Sequence, residues 1–477
     1  MRAGKMPDAP GVCKDLGVFF SYMLKGGRGE MQTGLDGHFT YRRLLRVVAS
    51  PVLMMIFTSL YGVVDGFFVS NYVGRTGLAA VNLIWPVIMG VGTIGFMVGA
   101  GGSAEVSKTM GEGDFRKANE SFSLLIYVTA GAGIALSLLV FSLIRPISAA
   151  LGAEGALLAD CISYGRILTL FALPFILQVA FQSFLVTAGK PDLSLRFSLF
   201  GGVTNMVLDY VFIVPMHMGV AGAALATGLG EAVGGVLPLL YFLKKNDSLL
   251  ALGRTRWDGR MLARTCVNGV SEMVTNLSAT VVETLYNIRL MGLVGEGGVA
   301  AYGIIMYVSF VFAALFYGYS MGSAPLVGFH YGAENRQELK SLFRKSLTLL
   351  MAAGAFLVLL AELVSGPLVA VFAGYDPELL ALTLRGFRLY SMAYLIMGIT
   401  AWGSSFFTAL SNGLVSAVIS FLRTLVFETG AVLLLPLVLG IDGVWLSAVA
   451  AEAAALAVTV FFFRRLGPRY GYLGRAA

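Results

Sequence analysis

Twelve long apolar runs, separated by short polar stretches, constrain this chain more than any other feature. They fall at 46–70, 80–105, 122–143, 160–187, 192–215, 219–243, 262–291, 298–325, 345–363, 380–409, 415–437 and 442–463. Crossing a bilayer takes roughly 20 apolar residues as a helix. In lipid, every backbone N–H and C=O must be bonded within its segment or within a closed barrel. These runs are mostly too long for barrel strands and lack polar/apolar alternation. They predict an all-α polytopic membrane protein of about 12 transmembrane helices. Only 13% of the 477 residues are charged, against roughly 25% in a soluble domain.

The basic residues set the orientation. One set of loops carries Arg42, Arg43 and Arg46; Lys108, Arg116 and Lys117; Lys190 and Arg196; Lys244 through Arg264; Arg336 through Lys345; and Arg464 through Arg475. The alternate loops carry only Arg75 and Arg145. Under the positive-inside rule both termini are expected in the cytoplasm, with the chain in the cell membrane. The net charge of +7 therefore reads as topology and not as nucleic-acid binding. Cys13, Cys161 and Cys266 and the three histidines are scattered, giving neither a disulfide framework nor a metal-ligand spacing. Residues 1–40 are expected to be a disordered or interfacial cytoplasmic tail. Their apolar patch, Leu16–Leu24, is too short to span and has no cleavage site, and Met31 is an alternative start.

The chain repeats itself. Pro215/Pro436, Gly219/Gly440, Gly222/Gly443, Leu225/Leu446 and Glu231/Glu452 match at one offset of 221. The same offset pairs Gly74/Gly295, Gly77/Gly298, Ala79/Ala300 and Ala80/Ala301. An even repeat of six helices enters from the same side twice, so the halves are related by an axis along the membrane normal. The expected organisation is a tail (1–40), an N-lobe (41–243), a linker (244–261), a C-lobe (262–464) and a C-terminal tail (465–477). Two such lobes enclose a cavity that rocking exposes to each side in turn.

The segments MMIFTSLYGVVDGFFVSNYVG (from Met54), GSAEVSKTMGEGDFRKANE (from Gly102), GGVTNMVLDYVFI (from Gly201) and GSAPLVGFHYGAENR (from Gly322) carry a further signal. Together they resemble the multidrug and toxic compound extrusion (MATE) transporters, and most nearly the staphylococcal multidrug exporters. The resemblance covers nearly all of 40–465. It implies a two-lobed antiporter driven by H+ or Na+ that expels cationic amphiphiles, with no other cofactor.

A carboxylate at mid-membrane costs roughly 2.5–3.5 kcal/mol on insertion scales, so each one must face a cavity or a partner. Asp65 lies deep in the first helix, and Asn205 and Asp209 share a face of the fifth at i and i+4. These oxygens suit either a sodium ion or a carried proton. The resemblance places Asp65 on the family's first-helix Asp, and Asn205 and Asp209 on its fifth-helix Asn-x-x-x-Asp. Glu272 and Glu283 on the seventh helix join the candidates for cation or cargo binding. The repeat mates Glu231 and Glu452, with Arg423 and Glu428, form a candidate structural network. Another branch of the family uses acids in the eighth and tenth helices. Here 298–325 and 384–409 hold no Asp or Glu, which shifts weight to the N-lobe.

A flippase for lipid-linked precursors is the alternative within transport. It calls for several cavity-lining bases, and the mid-membrane bases are few: Arg166, Arg289, Arg388 and Arg423. No loop clusters catalytic residues, and no GxxxxGK[ST] motif is present, which argues against an enzyme or an ATP-driven pump. The expected partners are small-molecule cargo and the lipid bilayer. Neither nucleic acid nor an obligate protein partner is expected, and the chain is read as a monomer.

Overall fold

The structure, a computed structural model, describes residues 35–473 apart from Tyr375. The tail expected over 1–34 and the alternative start at Met31 lie outside the described residues. So do residues 474–477 of the expected C-terminal tail.

Each apolar run forms a helix or a bent helix pair. In chain order they are α1 (Tyr41–Val73), α2 (Arg75–Gly111), α3 (Phe115–Ala150), α4 (Gly155–Leu170 and Ala172–Thr187), α5 (Pro191–Ile213) and α6 (Gly219–Leu243). The second set is α7 (Gly259–Val294), α8 (Glu296–Gly332), α9 (Arg336–Ala373), α10 (Pro377–Ser391 and Tyr394–Ala409), α11 (Gly413–Leu439) and α12 (Ile441–Tyr470). Eight of these are long and apolar enough to cross a membrane unbroken, and the two bent pairs α4 and α10 bring the total to 10. The remaining two, α5 and α7, are the helices that carry Asn205 and Asp209, and Glu272 and Glu283. The helices outrun their apolar cores because polar side chains cap their ends. Asp114 accepts a hydrogen bond from the Lys117 amide at 2.9 Å, and its mate Asn335 accepts from Glu338 at 3.0 Å. Each satisfies a backbone donor that the first turn leaves free.

The repeat is visible in the backbone. Gly74 and Gly295, at φ 94° and 76°, turn α1 into α2 and α7 into α8. Gly219 and Gly440, at φ 57° and 58°, open α6 and α12. These positive angles disfavour any residue with a Cβ. The spans α4 and α10 bend by 54° and 50°, and their breaks at Phe171 and Met392 are repeat mates.

The two halves meet along a seam near the basic loops. There α2 and α8 cross with their backbones in contact. A Cβ on Gly111 would lie 2.0 Å from the Phe329 carbonyl, and one on its mate Gly332 would lie 2.0 Å from the Lys108 carbonyl. In the same half, Gly269 of α7 fits against Met97 of α2, and Gly318 of α8 fits against Pro51 and Val52 of α1. Further along α1 the seam thins to a Ser59–Phe310 hydrogen bond of 3.3 Å and a 3.9 Å approach of the Tyr307 hydroxyl to a Cβ at Gly66. The lobes are thus joined on the basic-loop face and part toward the other.

The described end of the tail and the linker are both docked. Leu35 and Phe39 are buried, and Glu338 of α9 holds this end of the tail by accepting from the Phe39 amide at 2.9 Å and pairing with His38 at 2.6 Å. The linker lies along the N-lobe. Lys190 pairs with Asp247 at 2.9 Å, and the Ala251 and Gly253 amides donate to Asn119 and Ser123 of α3.

Because the α2–α8 crossing leaves no room for a Cβ, Gly332→Val should force the lobes apart on the basic-loop face. Spin labels placed at Arg116→Cys and Lys340→Cys in a cysteine-free background should report a longer distance in that variant. An unchanged distance would mean the crossing does not set closure.

Candidate functional site

Two adjacent glycines assemble the N-lobe site. A Cβ on Gly201 would lie 2.8 Å from the Gly230 carbonyl, so α5 and α6 touch through their backbones. A Cβ on Gly202 would meet Phe57 at 2.6 Å and Tyr61 at 3.0 Å, so the same helix also touches α1. Asn205 and Asp209 follow Gly201 at i+4 and i+8 and therefore continue its face. From α6, Thr227 and Glu231 stand one turn apart. From α1, Tyr61 and Asp65 do the same.

The result is a buried acidic cluster. Asp65 interacts with Asp209, Asn205 and Thr227, and Asn205 donates to the Thr227 hydroxyl at 3.5 Å. Glu231, Tyr61 and Tyr164 lie within electrostatic reach of Asp65. Asp209 is 0% exposed, Asn205 3% and Glu231 7%. Five buried oxygens here have no protein donor: Asp65 Oδ1, Asn205 Oδ1, both carboxylate oxygens of Asp209, and Glu231 Oε2. Buried polar atoms are nearly always paired, so a set of unpaired acceptors marks a place where a positive charge belongs. Hard cations prefer oxygen ligands, and a proton shared between facing carboxyls satisfies the same need. Among the described residues no basic side chain pairs with Asp65, Asp209 or Glu231.

The C-lobe solves the equivalent problem differently. Glu452, the mate of Glu231, forms an ion pair with Arg423 at 2.7 Å and accepts a hydrogen bond from Thr400. At the repeat offset Arg423 corresponds to Gly202, so the N-lobe packs the Phe57 and Tyr61 rings against a bare glycine where the C-lobe has a guanidinium. Arg423 and Glu428 lie on a widened π-helical stretch of α11, Phe421–Glu428. Such a stretch has more than four residues per turn and brings positions five apart onto one side. Glu428 accepts from Tyr286 at 3.4 Å, and the Tyr286 ring stacks on Tyr302 at 4.7 Å. Arg423, Glu428, Glu452 and Tyr302 line a cavity of about 160 Å³ together with Glu283 and Met306. Glu272 lies within electrostatic reach of Arg423.

The candidate residues thus separate into two groups. Asp65, Asn205 and Asp209 come together, joined by Glu231. Glu283 and Glu272 stand instead with Arg423, Glu428 and Glu452. Thr227 and Thr400 did not stand out in the sequence. Thr227 was accessible through its i,i+4 relation to Glu231, whereas nothing local marked Thr400.

Removing one partner of a buried ion pair strands the other, at a cost of about 3–5 kcal/mol. Glu452→Ala should therefore lower the thermal unfolding midpoint in detergent clearly. Glu231→Gln should leave it unchanged or raise it, because that side chain has no cation to strand. Equal losses in the two variants would show that both acids are paired alike.

Comparisons with known proteins agree with this architecture. The MatE family profile matches residues 51–211 and 273–430, more than half of the chain. The multidrug export protein MepA of Staphylococcus saprophyticus is 22% identical over 365 residues, covering 75% of this chain and 80% of that protein. Its counterpart from Staphylococcus aureus is 26% identical over 313 residues, covering 64% and 67%. A solved structure described as an outward-facing multidrug resistance MATE family transporter superposes with a TM-score of 0.88 at 21% identity, covering 94% of this chain and all of that one. The chain belongs to the MatE family of multi-pass membrane transporters.

Proposed function

We propose that this protein is a secondary antiporter that exports small cationic amphiphilic compounds across the cell membrane in exchange for H+ or Na+. The observation that carries this reading is the set of unpaired carboxylate oxygens on Asp65, Asp209 and Glu231, buried in one lobe beside Asn205 and Thr227. The relatives named as multidrug export proteins support the class of cargo.

In the state described, the lobes are joined on the basic-loop face, which the positive-inside rule places in the cytoplasm. The first helix carries Asp65 to the thinned end of the seam, beside Gly66, in the half remote from those loops. In this reading a cation enters from outside and settles among the N-lobe carboxyls. It neutralises charge that otherwise draws in cationic cargo, and so lowers the affinity for that cargo. The lobes then part on the cytoplasmic face, the cation leaves, and cargo binds again. Exchange requires only that cation and cargo differ in affinity for the two states. Glu283 and Glu428, in their own C-lobe cavity, offer a second acidic surface for cargo.

The test is ethidium efflux from proteoliposomes under an imposed pH gradient, with and without a sodium gradient. Wild type should follow one of the two gradients. Asp65→Asn and Asp209→Asn should fall to the level of protein-free vesicles while remaining inserted and monodisperse. Full activity in both variants would remove the coupling role from the N-lobe.

A further inference from the structure

A second cavity, of about 340 Å³, opens on the basic-loop face. Its walls come from both lobes: Lys108 and Glu112 at the end of α2, His330 and Tyr331 of α8, Arg336 of α9, and Arg469 and Tyr470 of α12. It adjoins the Gly111–Gly332 crossing that joins the lobes. Nothing in the transport cycle outlined above uses it.

Its chemistry favours an anion. Lys108 has a carboxylate neighbour, Glu112, only at 3.8 Å, and its ammonium lies 5.8 Å from the Tyr331 ring centre. Arg469 lies 5.9 Å from the Tyr470 ring centre, and neither it nor Arg336 has a carboxylate partner among the described residues. Glu334 also lines the cavity, so the walls carry three fixed cations against two carboxylates. A second, independent observation is His330. It is 2% exposed, it lines the cavity, and neither of its ring nitrogens has a hydrogen-bond partner. Its ring is held edge-on by Phe39 and Phe329, at 5.9 and 5.6 Å between centres. A buried imidazole with no partner on either nitrogen is rare in folded proteins. Here it offers an N–H donor to a cavity that two guanidinium groups also line, and guanidinium matches the tetrahedral oxygens of phosphate in pairs.

We propose that this pocket binds a phosphate group, and that binding holds the lobes closed on the basic-loop face. The second part follows because Lys108 belongs to one lobe and Arg336 and Arg469 to the other. A ligand that bridges them binds the closed state better than the parted one, and so shifts the population toward it. The phosphate has two sources of the same chemistry, a soluble phosphate or a phospholipid headgroup at the membrane surface.

The experiment uses the full chain in detergent and in nanodiscs. Inorganic phosphate is titrated calorimetrically against chloride of equal ionic strength. In parallel, native mass spectrometry counts phosphatidylglycerol retained from mixed phosphatidylcholine nanodiscs. Wild type should bind one of the two saturably. Arg469→Gln should weaken that binding about tenfold, as removal of a charge-assisted contact does. Arg336→Gln with Arg469→Gln should abolish it, and Arg344→Gln, outside the pocket, should leave it intact. Phosphate binding alone identifies the soluble source, and lipid retention identifies the headgroup. Binding of neither, or binding indifferent to both arginine variants, overturns the site. Binding that leaves the spin-label distance between Arg116→Cys and Lys340→Cys unchanged overturns its closing role.

Discussion

Three carboxyl groups, Asp65, Asp209 and Glu231, are held in one lobe with no basic side chain among the described residues to neutralise them, and much of the N-lobe is arranged around that uncompensated charge. Burial without a partner is costly for any carboxylate. The fold nevertheless concentrates these acids, because Gly201 lets α5 meet the α6 backbone while Gly202 leaves room for Phe57 and Tyr61 of α1. An interaction that the protein leaves unsatisfied is one that a mobile cation can make and break. That is the property an exchanger needs and a purely structural ion pair lacks.

The two lobes share one backbone plan and have diverged in electrostatics. The left-handed glycines at 74 and 295, the bends at Phe171 and Met392, and the backbone crossing at Gly111 and Gly332 all repeat at the offset of 221. The mates Glu231 and Glu452 repeat as well, but their surroundings do not. Arg423 stands where the N-lobe has Gly202, and with Thr400 it turns Glu452 into a paired, fixed charge. Glu231 keeps an oxygen without a partner. Under the proposed exchange cycle, a symmetric scaffold with asymmetric charge would give the two lobes different tasks.

Much of the fold was legible in the sequence because membrane burial writes itself into long apolar runs. Every one of the twelve runs became helical, and the offset found from Pro215/Pro436 and Gly74/Gly295 reappears in backbone angles. The pairing of Asp65 with Asn205 and Asp209 was legible because intramembrane acids are few, and i,i+4 spacing fixes a face. What escaped depends on distant contacts. The docking of Leu35 and Phe39 requires Glu338, about 300 residues away in sequence. The widened turn that aligns Arg423 with Glu428 has no local sequence signature, and the unpaired nitrogens of His330 emerge only once α8 is packed. The same holds for Glu231, which symmetry alone would have paired.

The central claim is that cargo and coupling cation compete for one buried set of carboxylates. Binding linkage is reciprocal, so the most direct measurement is the equilibrium affinity of ethidium for the purified protein across pH and sodium concentration. The account predicts that the affinity of the wild type weakens as protons or sodium are added, and that Asp209→Asn loses this dependence. An affinity in the wild type that responds to neither cation would contradict it.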